Sequence, residues 1–579
     1  MDSRSDYSAK RWLGLSLAPM RDHYDVIVVG SGAAGLCAAA VAASQSQSVL
    51  LVESAARVGG TTAISGGMVW VPANHKMQEI GLDDSLEVAK RYLQHTVVDS
   101  DERLEAFLAN SDEAIHYLEQ HTSLRLRPVK RYPDYYPDLP GATLGGRVLE
   151  PVPFDGSELG ADFARLRWPL PEFMLFGGMM ISREDIPHLR KVGLSLQSTM
   201  HALKLFAQYA KQRLRYRRGT TLYLGNALAG RLYKSVLDLG VDVRVQTPVL
   251  KLLSTNDRVS VTGVEVHEHG QLRQVLANKA VILASGGLSH STALRRHYIP
   301  EGMSDVTACA TSESLRRGAE LALDATDVNL SAPTPQGGFW VPASVFKRAD
   351  QSLGVYPHTV TDRAKPGLIA VNQQGRRFVN EAVSYHEFVK AQVEPQHHAI
   401  PAYLICDSRF LWKYGLGKIK PFTYSLDADI ASGYLKRAET FEDLGRQLGL
   451  PENALANTIN AFNHYAASGE DPEFGRGANA YQRHLGDVDQ QPNPCVAAID
   501  RTPFYAVEVI PSDLGMSAGM QTDAHARVLG SDNRPITGLY ACGNDMASVM
   551  NGAYPGPGIT LGPALTFAYI AAQHAARRL

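Results

Sequence analysis

The stretch Tyr554-Pro555-Gly556-Pro557-Gly558-Ile559-Thr560-Leu561-Gly562-Pro563 places a phenol at the head of a loop of alternating proline and glycine. Proline fixes φ and glycine opens conformations closed to other residues, so the run suits neither helix nor strand. A phenol there is held in place, and the glycines let backbone N–H groups approach a ligand closely. The loop follows a turn, Ala541-Cys542-Gly543-Asn544, and leads into an apolar stretch, Ala564 to Ala576, that reads as a helix.

A second constellation lies near the N-terminus. Asp25 to Val29 is a β-branched run suited to a buried parallel strand. Gly30-Ser31-Gly32-Ala33-Ala34-Gly35 follows, then an alanine-rich helix candidate, Leu36 to Ala43, and a second apolar strand, Val49 to Val52, ending on Glu53 and Ser54. Strand, GxGxxG, helix, strand and acid in this order form a dinucleotide site. The glycines permit the tight turn, the helix N-terminus faces phosphate, and the carboxylate accepts from ribose hydroxyls.

The tract that follows, Gly60, Thr61, Thr62, Ser65, Gly66 and Gly67, is small and hydroxyl-rich. A plain nicotinamide domain has no need of it, whereas a flavin needs backbone along its ribityl chain and ring. Two further strand ends run into small residues. One is Lys279 to Leu283 with Ala284, Ser285 and Gly286; the other is Gly538 to Ala541 with Gly543 and Asn544. Val249 and the loop residues Gly558, Ile559 and Leu561 complete the expected contacts. The cofactor expected is FAD, and no metal is expected.

Chain length, 579 residues, exceeds what one core supports, so more than one domain is expected. Lys and Arg number 57 against 59 Asp and Glu, a balance that gives nucleic-acid binding no support. The cysteines, Cys37, Cys309, Cys406, Cys495 and Cys542, are scattered without CxxC spacing, which fits a reducing cytoplasm. The apolar run Trp12 to Ala18 is too short for a secretory signal, and no stretch is long enough to span a membrane.

The expected fold class is α/β: a discontinuous Rossmann-type FAD-binding domain, residues 20–335 and 516–579, with an inserted α+β catalytic or capping domain at 336–515. Within the insert, Gly367 to Asn372 reads as a strand, Gln373 to Gly375 as a turn and Arg376 to Glu381 as the returning strand. Leu448 to Ser468 reads as a helix carrying Leu455, Ile459 and Phe462. The first part carries a basic amphipathic insertion at about 155–220. From His188 to Arg218 there are eight Lys or Arg and no Asp or Glu, and Leu196, Met200, Leu203, Ala207, Ala210 and Leu214 share one helical face. The plain expectation is a helix packed on the body with a solvated basic rim. The alternative is a helix lying, after the apolar run Phe173 to Ile181, on an anionic membrane surface. Localisation is expected to be cytoplasmic, with peripheral attachment to the cell membrane under that alternative.

Taken with the flavin tracts, Tyr554-Pro-Gly-Pro-Gly558 and Asn380-Glu381-Ala382-Val383-Ser384-Tyr385 resemble the 3-ketosteroid Δ1-dehydrogenases, a branch of the fumarate reductase/succinate dehydrogenase flavoprotein superfamily. The resemblance runs from Tyr24 to Leu579. It implies that the Tyr554 hydroxyl and the Gly558 N–H address the substrate carbonyl and that Tyr385 is the base. A third tyrosine from Tyr132-Pro133-Asp134-Tyr135-Tyr136 assists it, with Tyr136 favoured. Dicarboxylate enzymes of the superfamily carry a histidine where this chain reads Gly515-Met516-Ser517-Ala518-Gly519-Met520, which argues against a dicarboxylate substrate.

The implied reaction removes a proton from the carbon α to a ketone and a hydride from the β carbon. Enolate charge on the carbonyl oxygen calls for two converging donors. An ordinary tyrosine titrates near 10, so the base needs a neighbouring phenol or dipole to lower it. The flavin supplies the electron chemistry. A quinone is one candidate electron acceptor. The alternatives are a related enone or fumarate-type reductase, a 4,5-acting ketosteroid dehydrogenase and a non-catalytic flavin-binding protein at the membrane.

Overall fold

The computed structural model describes residues 19–182, 184–310, 317–334, 337–360 and 362–578. The apolar run Trp12 to Ala18 lies outside them.

A β-branched strand, His23–Val29, buried from Val26 onward, sits at the centre of the larger sheet. It pairs in parallel with Val49–Val52 on one side and with Gln271–Leu283 on the other. Asp242–Arg244 extends the sheet in parallel beyond Val49–Val52, and Pro535–Ala541 extends it beyond Gln271–Leu283. The helix Ala33–Ser44 covers one face. It packs close because Gly35 has no side chain: a Cβ there would stand 1.9 Å from the Gly30 carbonyl oxygen. The C-terminal helix Leu561–Ala576 lies against it and is buried along most of its length. This is the α/β, Rossmann-type architecture expected for an FAD domain.

The second sheet is antiparallel, in the order Leu353–Pro357, Gly338–Lys347, Phe504–Met516, Ala402–Asp407 and Leu368–Val371, with Leu435–Ala438 also paired to Phe504–Met516. Its long strand, Phe504–Met516, hands the chain back toward the first sheet. The helix Tyr385–Val393 packs on its Gly338–Lys347 strand.

Three local expectations are corrected. Arg376 to Glu381 forms no returning strand, only a single bridge between Val371 and Arg377. The Glu381 carboxylate, rather than a backbone carbonyl, takes the Ala370 N–H. The helix expected from Leu448 begins at Ala454, because Gly449 and Asn453 both take left-handed backbone and Pro451 lies between them. It buries Leu455, Ile459 and Phe462. The basic helix forms as Leu196–Arg213, but its apolar face does not pack on the body: Ser198 and Ala202 are its buried residues, and Leu196 is 80% exposed.

Beneath the second sheet, Arg377 grips Glu381 through two hydrogen bonds of 2.9 and 2.7 Å and Asp471 through two of 2.8 and 2.9 Å, all buried. Burial opposes a charged Glu381, but Arg377 and Arg476 outweigh it and hold the carboxyl below its ordinary range. Removing one member of a buried ionic group strands the others, typically at about 3–5 kcal/mol. Arg377→Met should therefore lower the unfolding free energy by about that amount in a denaturant titration.

Candidate active site

A cavity of about 340 Å³ runs from the first sheet to the second. At one end stand the Gly30–Ala34 turn, Glu53 and Ser54; along it lie Gly60 to Gly67, Val249, Ala284 to Gly286, Gly543 and Asn544; at the other end are Tyr385, Tyr554 and Gly558. Of the cofactor residues expected from sequence, Gly35 and Ile559 alone do not face it. Gly35 is spent on helix packing, and Ile559 turns toward a small recess beside Phe339.

The cradle is built by cross-links between the flavin tracts. The Glu53 carboxylate accepts from the Ser31 N–H at 3.0 Å and from the Ala55 N–H at 2.9 Å, which fixes it beside the glycine turn. Thr62 Oγ1 accepts from the first helical N–H, Ala33, at 3.0 Å. Asp545, which sequence reasoning missed, is buried next to Asn544. It accepts from the N–H and hydroxyl of Ser285 and from the Gly287 N–H, joining the second small-residue tract to the third. Its only sequence signal was its place after Gly543-Asn544. Helix-start amides, a ribose-reaching acid and a long channel ending at phenols together fit FAD.

At the far end three phenol oxygens form a chain. Tyr135 donates to Tyr385 at 3.0 Å, and Tyr385 donates to Tyr554 at 2.8 Å. The Tyr135 and Tyr554 rings lie stacked with centroids 5.6 Å apart, and Tyr385 meets both edge-on. Tyr136, favoured from sequence as the assistant, is elsewhere: its hydroxyl donates to Glu387 at 2.8 Å, and it does not line the cavity. Glu387 captures Tyr136, while the adjacent Tyr135 lines the cavity. Tyr135 is the phenol of this loop that hydrogen-bonds Tyr385.

The backbone holds this arrangement. Tyr135 N–H donates to the Pro555 carbonyl at 2.9 Å, and Tyr92 Oη donates to the same oxygen at 2.6 Å. Asp134, next to Tyr135, accepts from Trp70 Nε1 at 2.9 Å and from Arg147 at 2.8 Å. Gly558 has φ +97°, and a Cβ there would stand 2.6 Å from the Met68 carbonyl oxygen. Its carbonyl accepts from Trp70 N–H at 3.1 Å, while its own N–H has no acceptor among the described residues and lies at the cavity wall. An unspent amide and a phenol lining one cavity are donors of the kind an oxyanion requires.

Burial drives the phenols toward their neutral forms. Tyr554 is pushed up to about 12 by burial, partly relieved by the hydrogen bond with Tyr385. Burial, then the charge interaction with Tyr554, raises Tyr385 well above its ordinary value, and the Tyr135 hydrogen bond pulls it back down. His386 is no rival base. Burial pushes it down to about 4, its Nδ1 accepts from Trp340 N–H at 3.2 Å, and the Gly552 carbonyl engages it as well.

The FAD binding domain family model matches residues 25–561. A 3-oxosteroid 1-dehydrogenase of Mycobacterium tuberculosis is 34% identical over 96% of this chain and 98% of that protein. A 4-oxocyclohex-2-ene-1-carboxylate 5-dehydrogenase of Sinomonas cyclohexanicum is 35% identical over 96% of this chain and 94% of its own length. The crystal structure of a 3-ketosteroid Δ1-dehydrogenase from Sterolibacterium denitrificans, in complex with 1,4-androstadiene-3,17-dione, superposes with a TM-score of 0.88 at 36% identity, covering 96% of this chain and all of that one.

The two adjacent tyrosines should separate in a rate measurement. Tyr135→Phe should slow anaerobic flavin reduction by at least about tenfold, as loss of a proton-transfer partner does. Tyr136→Phe should leave it within about twofold, because its hydroxyl serves Glu387. The chain belongs to the 3-oxosteroid 1-dehydrogenase family of FAD-binding flavoproteins.

Proposed function

We propose that this protein is an FAD-dependent 1,2-desaturase of 3-ketosteroids, converting a 3-oxo-4-ene to a 1,4-diene-3-one. The observation that carries the reading is the Tyr135–Tyr385–Tyr554 chain in the cavity that Gly558, its amide without an acceptor among the described residues, also lines. A ketone's carbonyl oxygen and α carbon are neighbours, so its oxyanion donors and its base must be neighbours too. Tyr554 Oη and Gly558 N–H hold the C3 oxygen as enolate charge builds. Tyr385, as phenolate, takes the C2 proton, and Tyr135 stabilises that phenolate by hydrogen bonding. FAD, which the Gly30–Ala34 turn, Glu53 and the Ala284–Gly286 tract would hold, would supply the acceptor for the C1 hydride. The cavity wall away from the phenols, with Leu170, Phe173, Pro357 and Val360, suits an apolar ring system.

A second reading keeps the chemistry and shrinks the ring. The 35% identity to the oxocyclohexene-carboxylate enzyme favours α,β-desaturation of a monocyclic ketone acid. Anaerobic mixing with androst-4-ene-3,17-dione should bleach the flavin absorbance rapidly. Bleaching by 4-oxocyclohexanecarboxylate alone would favour the second reading, and bleaching by neither would overturn both.

The pH profile follows from the burial of Tyr385. Its raised pKa makes the reactive phenolate the minority form at neutral pH, so the flavin-reduction rate should climb about tenfold per pH unit through the neutral range. Tyr385→Phe should flatten that climb and cut the rate by about 10²–10⁴ with flavin still bound. Gly558→Ala, which drives a Cβ toward Met68, should cost about 10²–10³ in the same measurement.

The basic helix is read as a contact with an anionic membrane. Leu194, Leu196, Met200 and Leu203 are exposed among Lys191, Lys204 and Lys211. Phe176 is 70% exposed nearby, while Phe173 reaches both the surface and the cavity. Apolar residues ringed by cations suit an anionic lipid surface, from which a steroid reaches the cavity and a quinone takes the electrons. The protein should co-float with phosphatidylglycerol vesicles at low salt and not with phosphatidylcholine, and Leu196→Glu with Met200→Glu should release it. No flotation on either vesicle would overturn the contact.

A further inference from the structure

Two groups behind the phenol chain have no role in the reaction above. Arg363 is buried, yet its side chain makes all four of its hydrogen bonds among the described residues to carbonyl oxygens: His358 at 2.9 Å, Glu381 at 3.0 Å, Thr359 at 3.1 Å and Val383 at 3.3 Å. Asp362 next to it is committed to His358 at 2.6 Å. A guanidinium does not give up its charge; the carboxylate beside Arg363 is Asp362, which it shares with His358, so a further negative charge nearby is well placed to be balanced. Its bonds to Glu381 and Val383 also brace the turn into the helix Tyr385–Val393, and its guanidinium lies 5.0 Å from the Phe388 ring of that helix.

The second group is Tyr481. It is 1% exposed, and its hydroxyl has no hydrogen-bond partner among the described residues. Its ring packs on Tyr135 with centroids 4.8 Å apart. Burial raises its pKa most, and Arg363 is the one cation that draws it down. Burial lowers the Arg363 pKa, and Tyr481, then Asp362 and Tyr135, act against that loss and favour the cation. An orphaned buried hydroxyl is a standing cost that a nearby acceptor would remove.

Resting on the desaturase reading, we propose that Arg363 and Tyr481 hold the charge of the base. The guanidinium balances the negative charge of the ionised tyrosine chain, and the Tyr481 hydroxyl, unpartnered while the phenols are neutral, donates to Tyr135 when the chain is ionised. Arg363 is a positioning residue acting through Tyr135 and Tyr385. In the step itself, the C2–H bond breaks and an O–H bond forms on Tyr385. The C–H electron pair passes into the enolate, and the chain returns to neutral.

The other ionisable groups around the chain are engaged elsewhere. Tyr132 packs against His484 with ring centroids 4.7 Å apart, and His386 is neutral. Tyr136 and Lys390 both bind Glu387 on the opposite side of the helix start.

The test needs no steroid. Ionisation of the chain in the FAD-loaded enzyme is followed by tyrosinate absorbance near 295 nm, taken as the difference between wild type and Tyr385→Phe. Arg363→Met should raise the apparent pKa by at least about one unit, a tenfold loss of phenolate at fixed pH, and Arg363→Lys should recover part of it. Tyr481→Phe, which keeps the ring, should shift it upward by a smaller amount. Titrations that match wild type in Arg363→Met or Tyr481→Phe would overturn the assignment. If Arg363→Met does not retain flavin, Arg363→Lys and Tyr481→Phe carry the test, and wild-type titrations in both would overturn it. A shifted titration with no steroid turnover would sink the substrate and leave this assignment standing.

Discussion

The backbone of Val69–Trp70 and the loop from Tyr554 to Gly562 approach more closely than any side chain permits. A Cβ on Gly558 would meet the backbone of Met68 and Trp70, and one on Gly562 would stand 2.1 Å from the Trp70 carbonyl oxygen. This contact fixes the oxyanion loop to the flavin domain. The Trp70 indole reaches Asp134, Asp134 binds Arg147, and Arg147 binds Asp84 at 2.7 and 2.8 Å. One short strand thus anchors two phenol-bearing loops, and the Tyr135 N–H to Pro555 bond locks them to each other. Proline supplies stiffness and glycine supplies room.

The site joins two opposed demands. Enolate formation and hydride transfer call for a dry pocket, where fixed donors act strongly. Dryness also suppresses the phenolate that the proposed mechanism uses as its base. The structure meets both by stacking phenols, so that each lends a hydrogen bond to the next, and by setting Tyr385 at the first position of its helix, the positive end of the backbone dipole. The buried network of Arg377, Glu381, Asp471 and Arg476 keeps that helix start from moving.

Much of this was legible in the sequence because the flavin tracts are local. The spacing from Asp25 to Glu53 reports a strand, a turn, a helix and a strand within about thirty residues, and the fold follows. The Tyr554 loop was legible for the same reason: its chemistry and its rigidity lie in one stretch. Tyr136 was not separable from Tyr135, because which of two adjacent phenols turns inward is decided by Glu387, 251 residues away. Asp545 and Arg363 left little pattern, since most of their partners are backbone groups, which any residue type supplies. The helix at 196–213 was legible as a helix; its unpacked face was not, because amphipathicity does not say what covers the apolar side.

The hydrogen bonds of the phenol chain span great lengths of sequence: 250 residues from Tyr135 to Tyr385 and 169 from Tyr385 to Tyr554. Contacts so remote form late in folding, after the loop-closure entropy of the intervening segments has been met. The three oxygens therefore come within reach of one another only when both sheets are complete and docked. The phenol chain is thus a coincidence detector for assembly: the nucleotide turn is built from neighbouring segments, whereas the three oxygens meet only across the whole chain.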